Sequence, residues 1–474
     1  MEQNKETEQM ERELPGAFCE KMRRMLGEEY PAFVESYGKS RVQGLRFNPW
    51  KVDSEMHNVQ IQLVQDENRD RIDKVQECRE AQQESWKTQF HLQQIPWVPN
   101  GYYYDADTRP GKSSLHEAGA YYIQEPSAMA VAELLGVLPG ETVLDLCAAP
   151  GGKSTQVAGK LCQTGFLVSN EIHPARAKIL SQNIERMGVG NCVVTNEDSG
   201  RLVSYFPEFF DRIVVDAPCS GEGMFRKDQQ AREEWSPDNV KLCASRQAEI
   251  LDRAAAMLKP GGYLVYSTCT FAPEENECTA VWFLQTHPDF EPLPIPVSFG
   301  AAGFPFETVA PFDKTLTAAG RYLPSACRRI LPYHGGEGHF IAAFRRREDA
   351  AGERVPPFAY PAFDAAAGAL YADCFTDALW GVPMTVGETV RLLPPNLPRL
   401  SGLGVLSAGV MLAECKKARL EPAHAVFMAT AAADCRRLLS FDPQDARLRG
   451  FLHGEELTVD AENGFTAVAV AGIP

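Results

Sequence analysis

The sequence predicts an α/β protein whose centre is a mostly parallel sheet, covered by helices and closed by an antiparallel strand. Three observations predict it. Short β-branched runs alternate with helical patterns from Gly140 onward, those runs end in polar or reactive residues, and a late pair of apolar runs flanks a glycine-rich turn. Strands are expected at Thr142–Leu146, Phe166–Asn170, Cys192–Asn196, Arg212–Val215 and Tyr263–Ser267. Between them the helical spacing is clearest over Pro174–Met187, "PARAKILSQNIERM". Helical crossovers between successive strands make a sheet parallel and cover both of its faces. Further on, Cys327–Leu331 and His339–Phe344 stand on either side of "PYHGGEG" and read as the closing antiparallel hairpin.

The rest of the chain is read in the same way. Pro15–Tyr37 has helical spacing and is expected to form one or two helices, and Val42–Val52 looks like a strand. Asp53–Gln89 is rich in Asp, Glu, Arg and Gln and is expected to be a solvated, partly helical insertion. Arg347–Pro361 is charged, then rich in Ala and Pro, and suits a linker. The expected divisions are therefore 1–100 with its insertion at 53–89, 101–347, a linker at 348–362, and a separate segment at 363–474.

Composition narrows the class. The N-terminus "MEQNKETEQMERELPG" lacks the apolar core of a signal peptide, and no run of about 18 apolar residues is present to span a membrane. Thirteen cysteines without such a signal point to free thiols in a reducing cytoplasm, and none form a CxxC pair, so no structural metal is expected. The net charge of −16 argues against polyanion binding over the whole surface. A nucleic-acid partner must meet a local basic patch.

The chemistry is concentrated at strand ends. "VLDLCAAPGGKST" (Val143–Thr155) approaches a phosphate-binding loop, but Cys147 stands where that pattern requires its first glycine. Ligands of open parallel sheets bind beyond the carboxyl ends of the strands. There this chain carries Asp145 and Cys147, Glu171, Asp198, Asp216 with Pro218-Cys219, and Thr268-Cys269-Thr270. Glu171 fits an acceptor for ribose hydroxyls. Asp198 taken alone is equally well read as a mere strand-end cap. "RIVVDAP" also resembles the metal-binding strand of a P-loop NTPase, which is the rival from another class. Against it stand the two thiols at the mouths of adjacent strands, which an NTPase does not need and nucleophilic catalysis does.

Four segments carry a resemblance: "LDLCAAPGGKSTQVAG", "VSNEIHPARAKIL", "DRIVVDAPCSGEGMFRKD" and "YSTCTFAPEENE". Together they resemble the RNA cytosine-5 methyltransferases that use S-adenosylmethionine. The flanks "LPGAFCEKMRRMLGEEYPAFVESY", "IPWVPNGYYYD", "YYIQEPSAM" and "HGGEGHFIAAF" look like the bacterial RsmF-type 16S ribosomal RNA branch. The resemblance implies a Rossmann-like methyltransferase sheet at 101–347, an N-terminal RNA-binding α/β region and a C-terminal PUA-like α+β domain. It implies that Cys147, Ala148, Ala149, Pro150, Gly151, Gly152 and Lys153 wrap the cofactor. Glu171 would hold its ribose, Asp198 its adenine end, and Arg176 and Asp216 would also line the site. The implied catalytic residues are Cys269 as the nucleophile, Cys219 assisting release, and Asp216 and Lys153 beside the reacting groups. The implied partner is 16S ribosomal RNA or the small ribosomal subunit, met by a cytoplasmic monomer.

Two departures from the family pattern stand out. Pro332-Tyr333 replaces a common Pro-His, and the chain stops at "AVAVAGIP", where relatives continue with a glycine- and lysine-rich strand. A shortened C-terminal domain is expected from the second. Arg345-Arg346-Arg347 and the Lys416-Lys417-Arg419 cluster are candidate phosphate contacts or solvated faces. A transfer RNA substrate and a non-catalytic assembly factor are the remaining alternatives, and the intact pair Cys219 and Cys269 weighs against the latter.

Overall fold

The computed structural model describes residues 10–52, 82–297, 299–317, 321–348, 365–376, 381–395, 397–417 and 419–474. Its centre is a sheet of seven main strands, β1 (Thr142–Asp145), β2 (Phe166–Asn170), β3 (Cys192–Thr195), β4 (Phe210–Asp216), β5 (Leu258–Thr268), β6 (Cys327–Ile330) and β7 (His339–Arg346). They lie side by side in the order β6-β7-β5-β4-β1-β2-β3. The first five strands are mutually parallel, and β7 runs antiparallel to both β5 and β6. The strand order reverses between β1 and β4, which opens a crevice at their carboxyl ends.

Successive residues of each strand enter different cores. Leu144, Val168, Ile213 and Leu264 join the cluster on one face. Their chain neighbours Val143, Leu167, Val214 and Val265 join the cluster on the other. A strand buried on both faces reads as a continuous apolar run, which is why these segments were visible in sequence. Each such side chain contributes about 1.5–3 kcal/mol by leaving water.

The main helices are α1 (Gly16–Leu26), α2 (Gly152–Leu161), α3 (Pro174–Arg186), α4 (Pro237–Met257) and α5 (Glu277–Thr286). Pro174 and Pro237 stand in the first turns of α3 and α4, where a missing N–H costs nothing. Along α4 the buried stripe runs Val240, Cys243, Gln247, Leu251 and Ala254, and its polar member lies below the loops that follow β4 and β5. Helix α1 packs Phe18, Met22 and Met25 against Phe225, Phe271 and Leu331, so the N-terminal region braces the loop that follows β5.

Three expectations change. The strand read over Val42–Val52 covers only Gly44–Phe47, because Pro49 cannot donate to a ladder and instead starts the short helix Pro49–Val52. That strand belongs to an antiparallel sheet with Gln93–Gln94, Gly101–Tyr103 and Tyr121–Ile123. Of the insertion at 53–89, residues 53–81 lie outside the described residues, and 82–89 are helical. Trp86 there is buried in the N-terminal core, so this end of the insertion is not merely solvated. Beyond Glu348 the linker lies outside the described residues.

The C-terminal segment does not stand apart. Its Val405–Ala408 pairs antiparallel with β3 and lengthens the central sheet. A separate antiparallel sheet of Val382–Val386, Thr389–Leu393, Val410–Cys415 and Leu420–Pro422 follows its own pattern. Phe441, Val470 and Ile473 then pack among Leu45, Phe47 and Tyr121 of the N-terminal region.

A buried ion pair ties α5 to β6. Arg329 Nε donates to Glu277 Oε1 at 2.7 Å, its Nη2 pairs with Oε2, and its Nη1 donates to the carbonyl of Phe271 at 3.0 Å. Removing one partner of such a pair strands the other charge. Arg329→Met is therefore expected to cost about 3–5 kcal/mol in urea denaturation. A loss below about 1 kcal/mol would contradict this.

Candidate active site

The parallel register of β4 and β5 sets Asp216 beside Ser267. Beyond these ends the chains continue into Pro218-Cys219 and Cys269-Thr270, and the two sulfurs approach to 3.3 Å. Asp216 is gripped on both oxygens. Lys153 Nζ donates to Oδ2 at 2.7 Å, Ser267 Oγ donates to Oδ1 at 2.8 Å, and His339 Nε2 stands 3.4 Å from Oδ1. Burial opposes ionisation of Asp216, but Lys153 and His339 outweigh it and hold the carboxyl well below the usual range. Hydrogen bonding to Cys269, then burial, pushes the Cys219 thiol well above the ordinary value. Cys219 therefore keeps its proton, and either sulfur can be the donor across the contact.

A buried network fixes the two thiol loops to each other. Glu275 Oε2 accepts from the Ser220 backbone N–H at 2.9 Å and from Gln247 Nε2 at 2.8 Å, while Oε1 accepts from the Ser220 hydroxyl. Gln247 also donates to the carbonyl of Pro218 at 3.0 Å. Ser220 Oγ and Thr270 Oγ1 are 2.8 Å apart, which links the loop after β4 to the loop after β5. Asn276 donates to Thr270 O at 3.0 Å and contacts Thr268 Oγ1 at 2.6 Å. Burial pushes the Glu275 carboxyl up to about 7, against the pull of Ser220. Sequence reasoning assigned no role to Glu275, Gln247, Ser267 or His339. One signal was available: Gln247 is a polar residue inside the apolar stripe of α4.

The second group of residues forms a cradle after β1. Gly151 has φ of +115° and an added Cβ would stand 3.1 Å from Leu180 Cδ1, so no other residue fits without strain. Lys153, buried in the first turn of α2, turns inward to Asp216. A phosphate-binding loop would keep that lysine facing the ligand, and the NTPase reading fails here. Cys147 is partly buried against the central core, and burial pushes its thiol up. Ala148 N–H donates to Asn170 O at 2.8 Å, locking the loop to β2.

Glu171 is only 3% exposed and accepts from the His173 N–H at 2.9 Å. Arg176, expected to touch cofactor, supports the cradle. Its Nη2 donates to Ala149 O at 2.8 Å and its Nη1 lies 3.4 Å from Glu171 Oε2. Pro150 accepts at its carbonyl from Asn183 Nδ2 at 2.9 Å. Asp198 caps the helix Ser199–Val203 through Gly200 N at 2.8 Å and pairs with Arg253 at 3.2 Å. The residue is thus a helix cap, and its exposed carboxylate still faces solvent.

Four residues of the basic clusters have acidic partners. Arg345 pairs with Glu348, Arg346 with Glu208 and Asp289, Lys416 with Glu414, and Arg419 with Glu421. Among the described residues no group of side chains could hold a metal ion, and no helix is long and apolar enough to cross a membrane.

Comparison with known proteins gives this geometry a family. A model described as 16S rRNA methyltransferase RsmB/F matches residues 132–345. The N-terminal domain of 16S rRNA methyltransferase RsmF matches residues 14–80 and 67–126, and the RsmF rRNA methyltransferase first C-terminal domain matches 371–429. Ribosomal RNA small subunit methyltransferase F of Escherichia coli is 35% identical over 381 residues, covering 75% of this chain and 75% of that protein. The chain belongs to the RsmB/F family of 16S rRNA methyltransferases. The Shigella sonnei protein of the same description is 34% identical over the same shares. A crystal structure of a methyltransferase homologue from Pyrococcus horikoshii has 28% identity and a TM-score of 0.55, covering 70% of this chain and 95% of that one. NSun6 from Pyrococcus horikoshii, solved with SFG, shares the fold at a TM-score of 0.54 with 19% identity, over 71% and 99% of the two chains.

As a member of this family the chain is an RNA methyltransferase with S-adenosylmethionine as cofactor. The cradle fits that molecule. Asp145 is fully buried at its edge, with Oδ2 taken by Ser154 Oγ at 2.7 Å and Oδ1 left without a partner, an acceptor suited to a cationic ligand. Burial pushes the Asp145 carboxyl up to about 7, with Ser154 pulling the other way.

That shift has a stability consequence. The folded pKa lies above the unfolded value of 3.8, so the native state retains a proton that the unfolded state has released. Stability of the cofactor-free protein should fall as pH rises from about 4 to about 7. Asp145→Asn should flatten that decline in urea midpoints measured across the window. An equally steep decline in the variant would contradict the assignment.

Proposed function

We propose that this chain methylates carbon 5 of a cytosine in 16S ribosomal RNA through a covalent bond between Cys269 and the base. The contact between Cys219 and Cys269, 3.3 Å apart beside the Asp216–Lys153 pair, carries the reading. Carbon 5 of cytosine is too weak a nucleophile to take a methyl group unaided. Addition of the Cys269 thiolate to carbon 6 pushes the ring's double-bond electrons toward carbon 5. When bound, S-adenosylmethionine supplies the electrophilic methyl group. After carbon 5 has taken it, a water molecule accepts the carbon 5 proton, the C–H electrons reform the ring double bond, and the carbon 6–sulfur bond breaks to expel the Cys269 thiolate. Cys219, kept protonated, can donate its S–H to the departing sulfur. Asp216 accepts a hydrogen bond from the polar edge of the base, and Lys153 keeps it ionised.

Within the cradle, Glu171 would bind the ribose hydroxyls and Asp198 the adenine end, while Ile172 beside Glu171 is 64% exposed and offers the ring an apolar surface. The target base must be turned out of the RNA stack to reach the thiols. Free catalytic thiols suit the reducing cytoplasm, where 16S ribosomal RNA or the small subunit would be met by a monomer.

Two outcomes test this reading. Glu171→Ala removes a buried acceptor, worth about 1–3 kcal/mol, so S-adenosylmethionine should bind about 5- to 150-fold more weakly by calorimetry. Unchanged affinity would remove Glu171 from the site. Among the thiols, Cys269→Ala should abolish methyl transfer and form no adduct, whereas Cys219→Ala should accumulate a denaturation-resistant complex with RNA. An adduct from the Cys269 variant alone would reverse the roles, and none from either would sink them both.

A further inference from the structure

His339 is a buried titratable group that the chemistry above leaves unused. It opens β7, whose Phe340 stands opposite Thr268 in β5, so continuing that register places His339 across from Cys269. The residue is 5% exposed, and Nε2 makes no aligned hydrogen bond. Its nearest acidic neighbour is Asp216 Oδ1, at 3.4 Å. Burying a ring nitrogen without a partner is costly, and such orphans are rare enough in native proteins to need a reason. Catalytic hydrogen bonds are often long or misaligned before the substrate arrives and tighten afterwards.

We propose that His339 is a positioning residue for Asp216. In the loaded site its Nε2–H donates to Oδ1 and completes a set of donors around the carboxylate. The count of lone pairs shows what this achieves. An ionised carboxylate has about four acceptor positions. Ser267 and His339 fill the two on Oδ1, and Lys153 fills one on Oδ2. One position on Oδ2 remains, and it is presented to a donor on the target base, such as the exocyclic amine of cytosine. Without His339 the carboxylate can turn about its Cβ–Cγ bond, and the free position is no longer fixed. The proposal rests on the reading of Asp216 and Cys269 given above.

Two substitutions separate a donor from a filler. His339→Gln keeps an N–H near the position of Nε2, whereas His339→Leu keeps bulk and removes the donor. Small ribosomal subunits from a strain lacking the enzyme serve as substrate, with S-adenosylmethionine saturating. His339→Leu should lower the single-turnover methylation rate about 10- to 100-fold, the cost of a misplaced catalytic group, while RNA KM stays near wild type. His339→Gln should recover most of that rate. Placed on the Cys219→Ala background, His339→Leu should slow formation of the trapped complex by the same factor. Gln and Leu variants equally slow, or both as fast as wild type, would overturn the proposal. So would a loss of rate that merely follows a loss of folded protein by thermal denaturation. If Cys219→Ala alone traps nothing, the reading of the thiols fails, and the Gln-against-Leu rate comparison still decides on His339.

Discussion

The register between β4 and β5 is the constraint on which the site depends. Asp216 and Ser267 are partners across that parallel pair, so Cys219 and Cys269 leave the sheet side by side. Strand side chains alternate faces, and a slip by one residue would turn Asp216 to the other side of the sheet. Apolar residues on both faces of β4 and β5 hold that register, since Ile213 and Val214 enter different cores. The packing of the sheet is in this sense the first part of the chemistry.

Electrostatics refine what the register sets. Asp216 is surrounded by donors before any substrate arrives, and Glu275 holds the Ser220 and Gln247 N–H groups below the thiol loops. Such groups need no reorganisation at the moment of reaction, which is the advantage of a preorganised site. The same buried charges make the protein sensitive to loss of any single partner, because what remains is an unpaired group in a dry interior. Helix α1 adds a further brace, since Lys21 pairs with Glu222, whose other oxygen accepts from Phe271 N–H.

Much of this was legible in the sequence, for a physical reason. Strands buried on both faces leave continuous apolar runs, and ligand sites of parallel sheets fall at their carboxyl ends. Cys219, Cys269, Asp216 and Glu171 could therefore be placed before the fold was seen, and Lys153 through the family resemblance alone. Other features depend on partners distant in sequence. Nothing in "GVLSAG" announces that Val405–Ala408 will pair with β3, because a short exposed edge strand has no pattern of its own. Arg176 and Asp198 were placed near the cofactor by type, but which carbonyl or N–H each one meets is a matter of geometry. Arg346 of β7 could be read as a phosphate contact or a solvated face because its acidic partners, Glu208 and Asp289, lie far away in the chain. His339 was hidden for the same reason: its neighbour Asp216 ends a different strand.

The central claim is that carbon 5 of cytosine is activated by a thiol and loses its proton only after methyl transfer. RNA containing cytosine tritiated at carbon 5, assembled into small subunits and given S-adenosylmethionine, tests this directly. The account predicts that tritium passes to water in a one-to-one ratio with methyl groups incorporated, and that the product nucleoside is 5-methylcytidine. Methyl incorporation with the tritium retained, as transfer to the exocyclic amine would give, would contradict it.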